Sequence, residues 1–253
     1  MNTSLVTLVP ALNEEARIGK VLDVLCDMFP FGRTVVIDGG SIDQTTEIAK
    51  KYPVELLSFD KSLGKGAALQ AGINHAKQSD YWLFIDADLI NLRPLHLIEL
   101  LLPLHNDPHL AMTVGKFKGG RSLTDIAHHC FSILNGQRGL AGWFVEKLPD
   151  LSWSHFGVEI FLSKFAQNQG YSIAHPYLPE LTHHTKEAKF GFIRGFPYRL
   201  KMYGECLYSI FTWKSKIDSA CNKELESMEN IDIVLDVENY NVFSEVSTDT
   251  NQP

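Results

Sequence analysis

The sequence has no apolar run long enough to cross a bilayer, since even Leu95 to Leu104 is interrupted by His96, Glu99 and Pro103, and a span needs roughly 18 consecutive apolar residues. Met1 to Pro10 lacks a cationic start, a long apolar stretch and a small-residue cleavage site, so a first strand is expected there and not a signal peptide. Cysteine is sparse: Cys26, Cys130, Cys206 and Cys221 lie far apart with no CxxC pair. No disulfide framework is expected, and a reducing, cytoplasmic compartment fits best. There is no basic excess, with 23 Lys and Arg against 30 Asp and Glu, which excludes a general nucleic-acid binder that neutralises phosphates with a cationic face. No internal repeat and no Walker loop is present.

What is present is ordinary for a globular protein. Apolar residues make up 45% and charged residues 21% of 253 residues, enough for one large core without forcing two domains. Charge is unevenly placed: residues 223–253 hold one lysine against eight acids, the whole of the net −7, and leave 1–222 balanced. The chain therefore reads as one domain, 1–222, and an acidic tail, 223–253, expected to be mobile.

Strand-like and helix-like segments alternate over the first ninety residues. Leu5 to Val9 is an apolar run; Ile18, Val21, Leu22 and Leu25 share one helical face within Asn13 to Asp27; Thr34 to Ile37 is β-branched; Thr45 to Lys51 looks helical. Val54 to Ser58 leads through Gly64-Lys65-Gly66 into the Ala-rich stretch Ala67 to Ala76, and Tyr81 to Ile85 ends at Asp86-Ala87-Asp88. Such alternation predicts an α/β fold, a mostly parallel Rossmann-like sheet with helices on both faces. Its ligands bind at the carboxyl ends of the strands. Later elements are a strand near Met112 to Lys118 and helices over Ser122 to Leu134 and Val158 to Gln169.

Three loops carry polar groups to those strand ends: Asn13-Glu14-Glu15, Asp38-Gly39-Gly40-Ser41 and Asp86-Ala87-Asp88. Two carboxylates one residue apart offer the hard oxygens that Mg²⁺ or Mn²⁺ prefers, with phosphate oxygens completing the shell, and Asp88 is the first choice for coordination. A strand-end pair also serves as a turn or helix cap. Asp38 can accept hydrogen bonds from a base or ribose, or simply form an Asp-Gly turn. Lys65, between two glycines before a helix, can face a phosphate or lie exposed.

Taken in order, Val9-Pro10-Ala11-Leu12-Asn13-Glu14-Glu15, Val36 to Thr45, Gly64-Lys65-Gly66-Ala67-Ala68 and Phe84 to Leu89 resemble the motifs of glycosyltransferase family 2. The resemblance covers most of residues 5–90. It implies the GT-A fold, a nucleotide-diphosphate sugar donor and a divalent metal. It puts Pro10, Ala11, Leu12 and Glu14 near the nucleotide, Asp38 on base or ribose, Gly64 and Lys65 near base or phosphates, and Asp86, Ala87 and Asp88 at ribose and metal. The second motif departs from the family's usual pair of adjacent aspartates, with Gly39 in second place.

Further along, Asn135 to Leu140 and Phe156 to Ile160 are similar to the acceptor-side motifs of dolichyl- or polyprenyl-phosphate sugar synthases and glucosyl-3-phosphoglycerate synthases. On this resemblance the nucleotide-sugar half is about 1–118 and the acceptor half about 119–222. Gly136, Gln137 and Arg138 are expected at an anionic acceptor, Arg138 through its planar fork. Glu159 is a candidate base or organising carboxylate, and equally a salt-bridge partner. A late histidine is expected to complete the metal site: His184 is chosen, with His175 as the other option.

The basic and aromatic stretch from Lys186 to Lys216 favours a polyprenyl phosphate acceptor at the inner membrane surface. An ordinary lid is the plainer account, and a soluble acceptor such as 3-phosphoglycerate is the main rival. A homodimer is compatible with the sequence. Two other classes fit the sequence less well. A non-catalytic nucleotide-binding module is opposed by retention of Asp86 and Asp88. A sugar nucleotidyltransferase lacks its N-terminal glycine-rich, arginine-bearing loop, because Gly19-Lys20 falls inside a helical pattern.

Overall fold

Neighbouring residues of the first strands are apolar on both sides, so the sheet they form must be covered on both faces. The computed structural model describes residues 3–29, 32–117, 135–183 and 212–215. In chain order it has β1 (Leu5–Ala11), α1 (Ile18–Met28), β2 (Arg33–Asp38), α2 (Thr45–Ala49), β3 (Glu55–Ser58), α3 (Lys65–Ala76), β4 (Tyr81–Phe84) and β5 (Leu89–Ile90). There follow α4 (Pro94–Asn106), β6 (Leu110–Val114), β7 (Lys116–Phe117), β8 (Arg138–Ala141), α5 (Gly142–Glu146), a 3₁₀ turn (Ser152–Gly157), α6 (Val158–Asn168), β9 (Ser172–Ala174), β10 (Tyr177–Leu178) and β11 (Thr182–His183).

Seven strands form one sheet in the order β3-β2-β1-β4-β8-β6-β9. It is parallel except at β8, which runs antiparallel to both β4 and β6. The two faces build separate cores. Leu8, Val35, Ile37, Trp82 and Phe84 pack with α3 and α6, whereas Val9, Val36, Leu83 and Ile85 pack with α1 and α4. The alternation is the two-residue period of a pleated strand. At Gly72 of α3, a Cβ would come within 3.0 Å of Leu8 and Ile37, so the glycine lets this helix lie close on the sheet.

The first-half strands and helices match their sequence expectations to within a few residues at the ends, except that α1 begins at Ile18 and Asn13 to Arg17 form a loop. The expected strand near Met112 is split into β6 and β7. Residues 135–140, read as a motif and not as a strand, supply β8. Ser122 to Leu134, His184, the tail, its boundary at 222 and nearly all of the 186–216 stretch lie outside the described residues. Within that stretch, Trp213 packs against the first core. Among the described residues, no helix is long and apolar enough to cross a membrane.

Candidate active site

The β1–α1 and β2–α2 loops are stitched together by side chains. Asn13 N donates to Ser41 Oγ (2.8 Å), Glu14 N to Thr45 Oγ1 (2.7 Å), and Ile42 N to Asn13 Oδ1 (2.9 Å). Asn13 takes a left-handed φ of 55°, which asparagine tolerates. Asp38, 2% exposed, accepts from the N–H groups of Gly40 and Ser41 at 3.2–3.3 Å and so shapes this loop from beneath. Gly39 donates to Ala11 O at 2.9 Å. A Cβ there would meet only that oxygen, at 3.6 Å, so the family's second aspartate is missing for no steric reason. Pro10 and Glu14 are half-buried, Ala11 is buried and Leu12 is exposed on this rim.

The strand end of β4 faces a buried cluster of charge. Lys65 Nζ lies 2.5 Å from Asp86 Oδ1 and 2.5 Å from Glu159 Oε1. Burial alone would lower the Lys65 pKa, but attraction to Asp86 and Glu159 outweighs it and holds the ammonium above its ordinary value. The other Asp86 oxygen, Oδ2, accepts from Gln137 Nε2 at 2.8 Å, and the Gln137 carbonyl accepts the Asp86 N–H at 3.1 Å. Gln137 is fully buried, so this amide clamps both backbone and side chain of Asp86. Gly136 sits directly on the cluster, where a Cβ would meet Asp86 Oδ2 and Lys65 Nζ.

Arg138 is placed differently from the expectation of a phosphate fork. It is 1% exposed, and its guanidinium donates to Asn135 O (3.0 Å), Ser163 Oγ (3.0 Å) and Glu159 O (2.8 Å). Burial lowers its pKa to about 10 against the opposing pull of Glu159 and Asp86. The residue begins the interior strand β8, which buries its side chain among these partners, so it braces Glu159 from within. Glu159, 7% exposed, stands in the first turn of α6, where the helix dipole favours a carboxylate.

The 3₁₀ turn before α6 packs against the start of α3. Leu151 N donates to Gln70 Oε1 at 2.9 Å, and at Gly66 a Cβ would collide with Ser154 Oγ and Leu151 O. In this turn His155 has φ 46° and ψ −124°, the conformation a type II′ turn reserves for glycine, which costs a side-chain-bearing residue on the order of 1–3 kcal/mol. Its Nδ1 lies 2.6 Å from where a Gly64 Cβ would be. No sequence motif pointed to His155.

Asp88 is half-buried in the turn between β4 and β5, and Ala87 beside it is buried. β11 returns antiparallel to β5 with His183 opposite Leu89, the residue after Asp88. His175 is exposed after the edge strand β9, three strands from β4. Among the described residues, no group of three or more His, Cys, Asp or Glu is gathered as a cage for a metal ion.

Acidic and glycine-bearing loops at the carboxyl ends of a two-faced parallel sheet define an α/β protein of the nucleotide-binding kind. Residues 7–158 match the model of glycosyl transferase family 2, and the chain belongs to that family. Glucosyl-3-phosphoglycerate synthase of Petrotoga mobilis is 29% identical over 187 residues, covering 60% of this chain and 57% of that protein. A dolichyl-phosphate beta-glucosyltransferase of Trichomonas vaginalis is 37% identical over 94 residues, 32% of this chain and 29% of that one. The chain thus spans between about a third and somewhat over half of these relatives. Among solved structures, glucosyl-3-phosphoglycerate synthase from Mycobacterium tuberculosis with Mn²⁺, UDP and glucosyl-3-phosphoglycerate aligns with a TM-score of 0.63 and 25% identity, covering 81% of this chain and 80% of that one. The GT-A sheet expected from the motifs is the sheet observed.

Proposed function

We propose that this glycosyltransferase moves a glucosyl group from UDP-glucose to a small phosphorylated acceptor of the phosphoglycerate class. The observation that carries the reading is the Lys65 bridge. One ammonium joins Asp86, at the end of the donor-side strand β4, to Glu159, on the acceptor-side helix α6, within 2.5 Å of each. Supporting it, the Mycobacterium tuberculosis enzyme is seen with UDP-glucose, Mn²⁺ and phosphoglyceric acid, and separately with glycerol 3-phosphate.

The residues present fit a hard divalent cation such as Mg²⁺ or Mn²⁺. Asp88, half-buried in the turn after β4, is the ligand that the motif resemblance implies, with donor phosphate oxygens in place of a protein cage. His184 is the expected protein partner of Asp88. When bound there, the ion supplies Lewis-acid neutralisation of the departing diphosphate. The chain's own residues do the rest. Pro10 to Glu14 and Asp38 receive the nucleoside, and Lys65, which follows Gly64, reaches Asp86. The bond from the anomeric carbon to the diphosphate oxygen breaks with its electrons going to UDP. The acceptor hydroxyl oxygen bonds to that carbon, and its proton passes to the Glu159 carboxylate, whose direction Lys65 and the Arg138 brace hold. Gln137 acts chiefly by holding Asp86, and Gly136 by leaving room beside Asp86 and Lys65.

A polyprenyl phosphate acceptor is the second reading. Its support is the Trichomonas relative and the basic, aromatic composition of residues 186–216. The test is UDP release from UDP-glucose with Mn²⁺, using 3-phosphoglycerate in one arm and polyprenyl phosphate in liposomes in the other, for the intact protein and Asp88→Ala. Release stimulated by 3-phosphoglycerate and lost in the variant supports the proposal. Stimulation by the lipid alone moves the acceptor to the second reading. No metal-dependent release or UDP binding in either arm sinks both.

A further inference from the structure

His155 stands apart from every residue used so far. Its side chain is exposed, and among the described residues its imidazole has no hydrogen-bond partner. Neither burial nor side-chain bonding therefore offsets its glycine-type backbone angles, and backbone strain beside a cluster of charged side chains is a pointer to function. Its position is fixed on both sides. The ring lies against Gly64, with Nδ1 2.6 Å from the site of a Gly64 Cβ, and the His155 backbone N is 3.1 Å from where a Gly66 Cβ would be. It thus flanks Lys65 and precedes Glu159 by four residues across the start of α6. Two of the three donors of the cation already there are committed: Lys65 donates to Asp86 and to Glu159 at 2.5 Å each. An anionic ligand entering beside Glu159 meets two carboxylates and needs a further donor. An imidazole N–H supplies one.

We propose that His155 is a specificity-determining residue that hydrogen-bonds the anionic group of the phosphorylated acceptor. The acceptor class rests on the reading of the site given above. On that reading the β1 and β2 loops receive the nucleoside, and the His155 turn leads into α6, which carries the acceptor-side Glu159. For that reason the contact is assigned to the acceptor and not to UDP.

Glycine at this position separates a ligand contact from a turn requirement, because it relieves the positive φ while removing the ring. In the full chain, His155→Gly is expected to melt at the same temperature as the parent or higher. It is expected to bind UDP with Mn²⁺ within about twofold of the parent, while the KM for 3-phosphoglycerate rises roughly 10- to 100-fold, the loss of one hydrogen bond to a charged group. His155→Gln, which keeps an N–H donor, should recover part of that loss. An unchanged acceptor KM in His155→Gly overturns the proposal and leaves a strained turn residue. An equal loss of UDP affinity overturns it in favour of a donor contact. The His155 ring resonance, identified by its absence in His155→Gly, is also followed during titration with inorganic phosphate. A shift upholds the anion contact even if no transfer is detected with any acceptor, and no shift counts against it.

Discussion

Arg138 donates through its guanidinium to the main-chain carbonyl of Glu159 at 2.8 Å and to Ser163 Oγ at 3.0 Å, so β8 is bolted to the first two turns of α6. Removing the guanidinium strands these buried acceptors. Arg138→Met is expected to lower unfolding stability by about 3 kcal/mol and to reduce kcat through misplacement of Glu159. The acceptor KM should stay within about twofold, because the guanidinium does not face the ligand. Urea denaturation and steady-state kinetics on the same preparation check this, and a large KM effect at unchanged stability would restore a direct acceptor role.

Lys65 is shared by two carboxylates, so its loss is felt twice. Lys65→Met leaves Asp86 and Glu159 with no ammonium between them. Breaking a largely buried pair in this way is expected to cost about 3 kcal/mol and at least 100-fold in kcat/KM. Circular dichroism during urea unfolding, paired with a UDP-release assay, gives both numbers. Stability within about 0.5 kcal/mol of the parent would mean that the cluster is already solvated.

The Gln137 clamp predicts a graded series. Gln137→Leu removes the donor to Asp86 Oδ2 and the acceptor of its N–H, at a cost of about 1–3 kcal/mol. Gln137→Glu keeps the shape but sets a third carboxylate against Asp86 and should be worse. Metal-dependent UDP affinity measured by calorimetry is expected to fall in the order parent, Leu, Glu. Equal affinities across the series would show that Asp86 needs no clamp.

Away from the site, Glu55 accepts from Arg33 at 2.8 and 2.9 Å and lies 2.6 Å from His75. The hydrogen bond from Arg33 is the largest cause that holds its pKa down to about 2, against a usual 4.5. A depressed folded-state value means that the stabilisation is present above pH 4.5 and is lost as pH falls towards 2. Because the pair is more than a third exposed, solvent screening limits it to about 0.5–1 kcal/mol. The stability difference between the parent and Glu55→Gln, followed from pH 7 to pH 2, should be of that size at pH 7 and vanish at the acid end. A constant difference would assign the effect to packing.

Legibility followed the range of the signal. β1 to β4 and their loops were readable because apolar runs and glycine or aspartate punctuation are local. α4 passed unread as a helix: Leu95 to Leu104 is rich in apolar residues with Pro103 inside, and its start signal, Pro94 at the first helical position after Arg93, is modest. β8 passed unread as a strand because Arg138-Gly139 has neither the alternation nor the β-branching of one.

The sequence by itself determined the βαβ order, the two apolar faces of each strand, the convergence of three polar loops and the candidacy of Asp86, Asp88, Lys65 and Glu159. The strand order and apolar faces follow from local periodicity, whereas the site candidates, Glu159 above all, rest on the resemblance of short ordered motifs to glycosyltransferase family 2. Only the tertiary structure decided that Lys65 and Glu159, 94 residues apart, share one ion pair, that Gln137 clamps Asp86, and that Arg138 points inward. Those outcomes depend on β8 inserting antiparallel between β4 and β6 and delivering α6 to the end of β4. Such a choice of neighbour is made by burial of the whole sheet, and no periodicity along the chain encodes it.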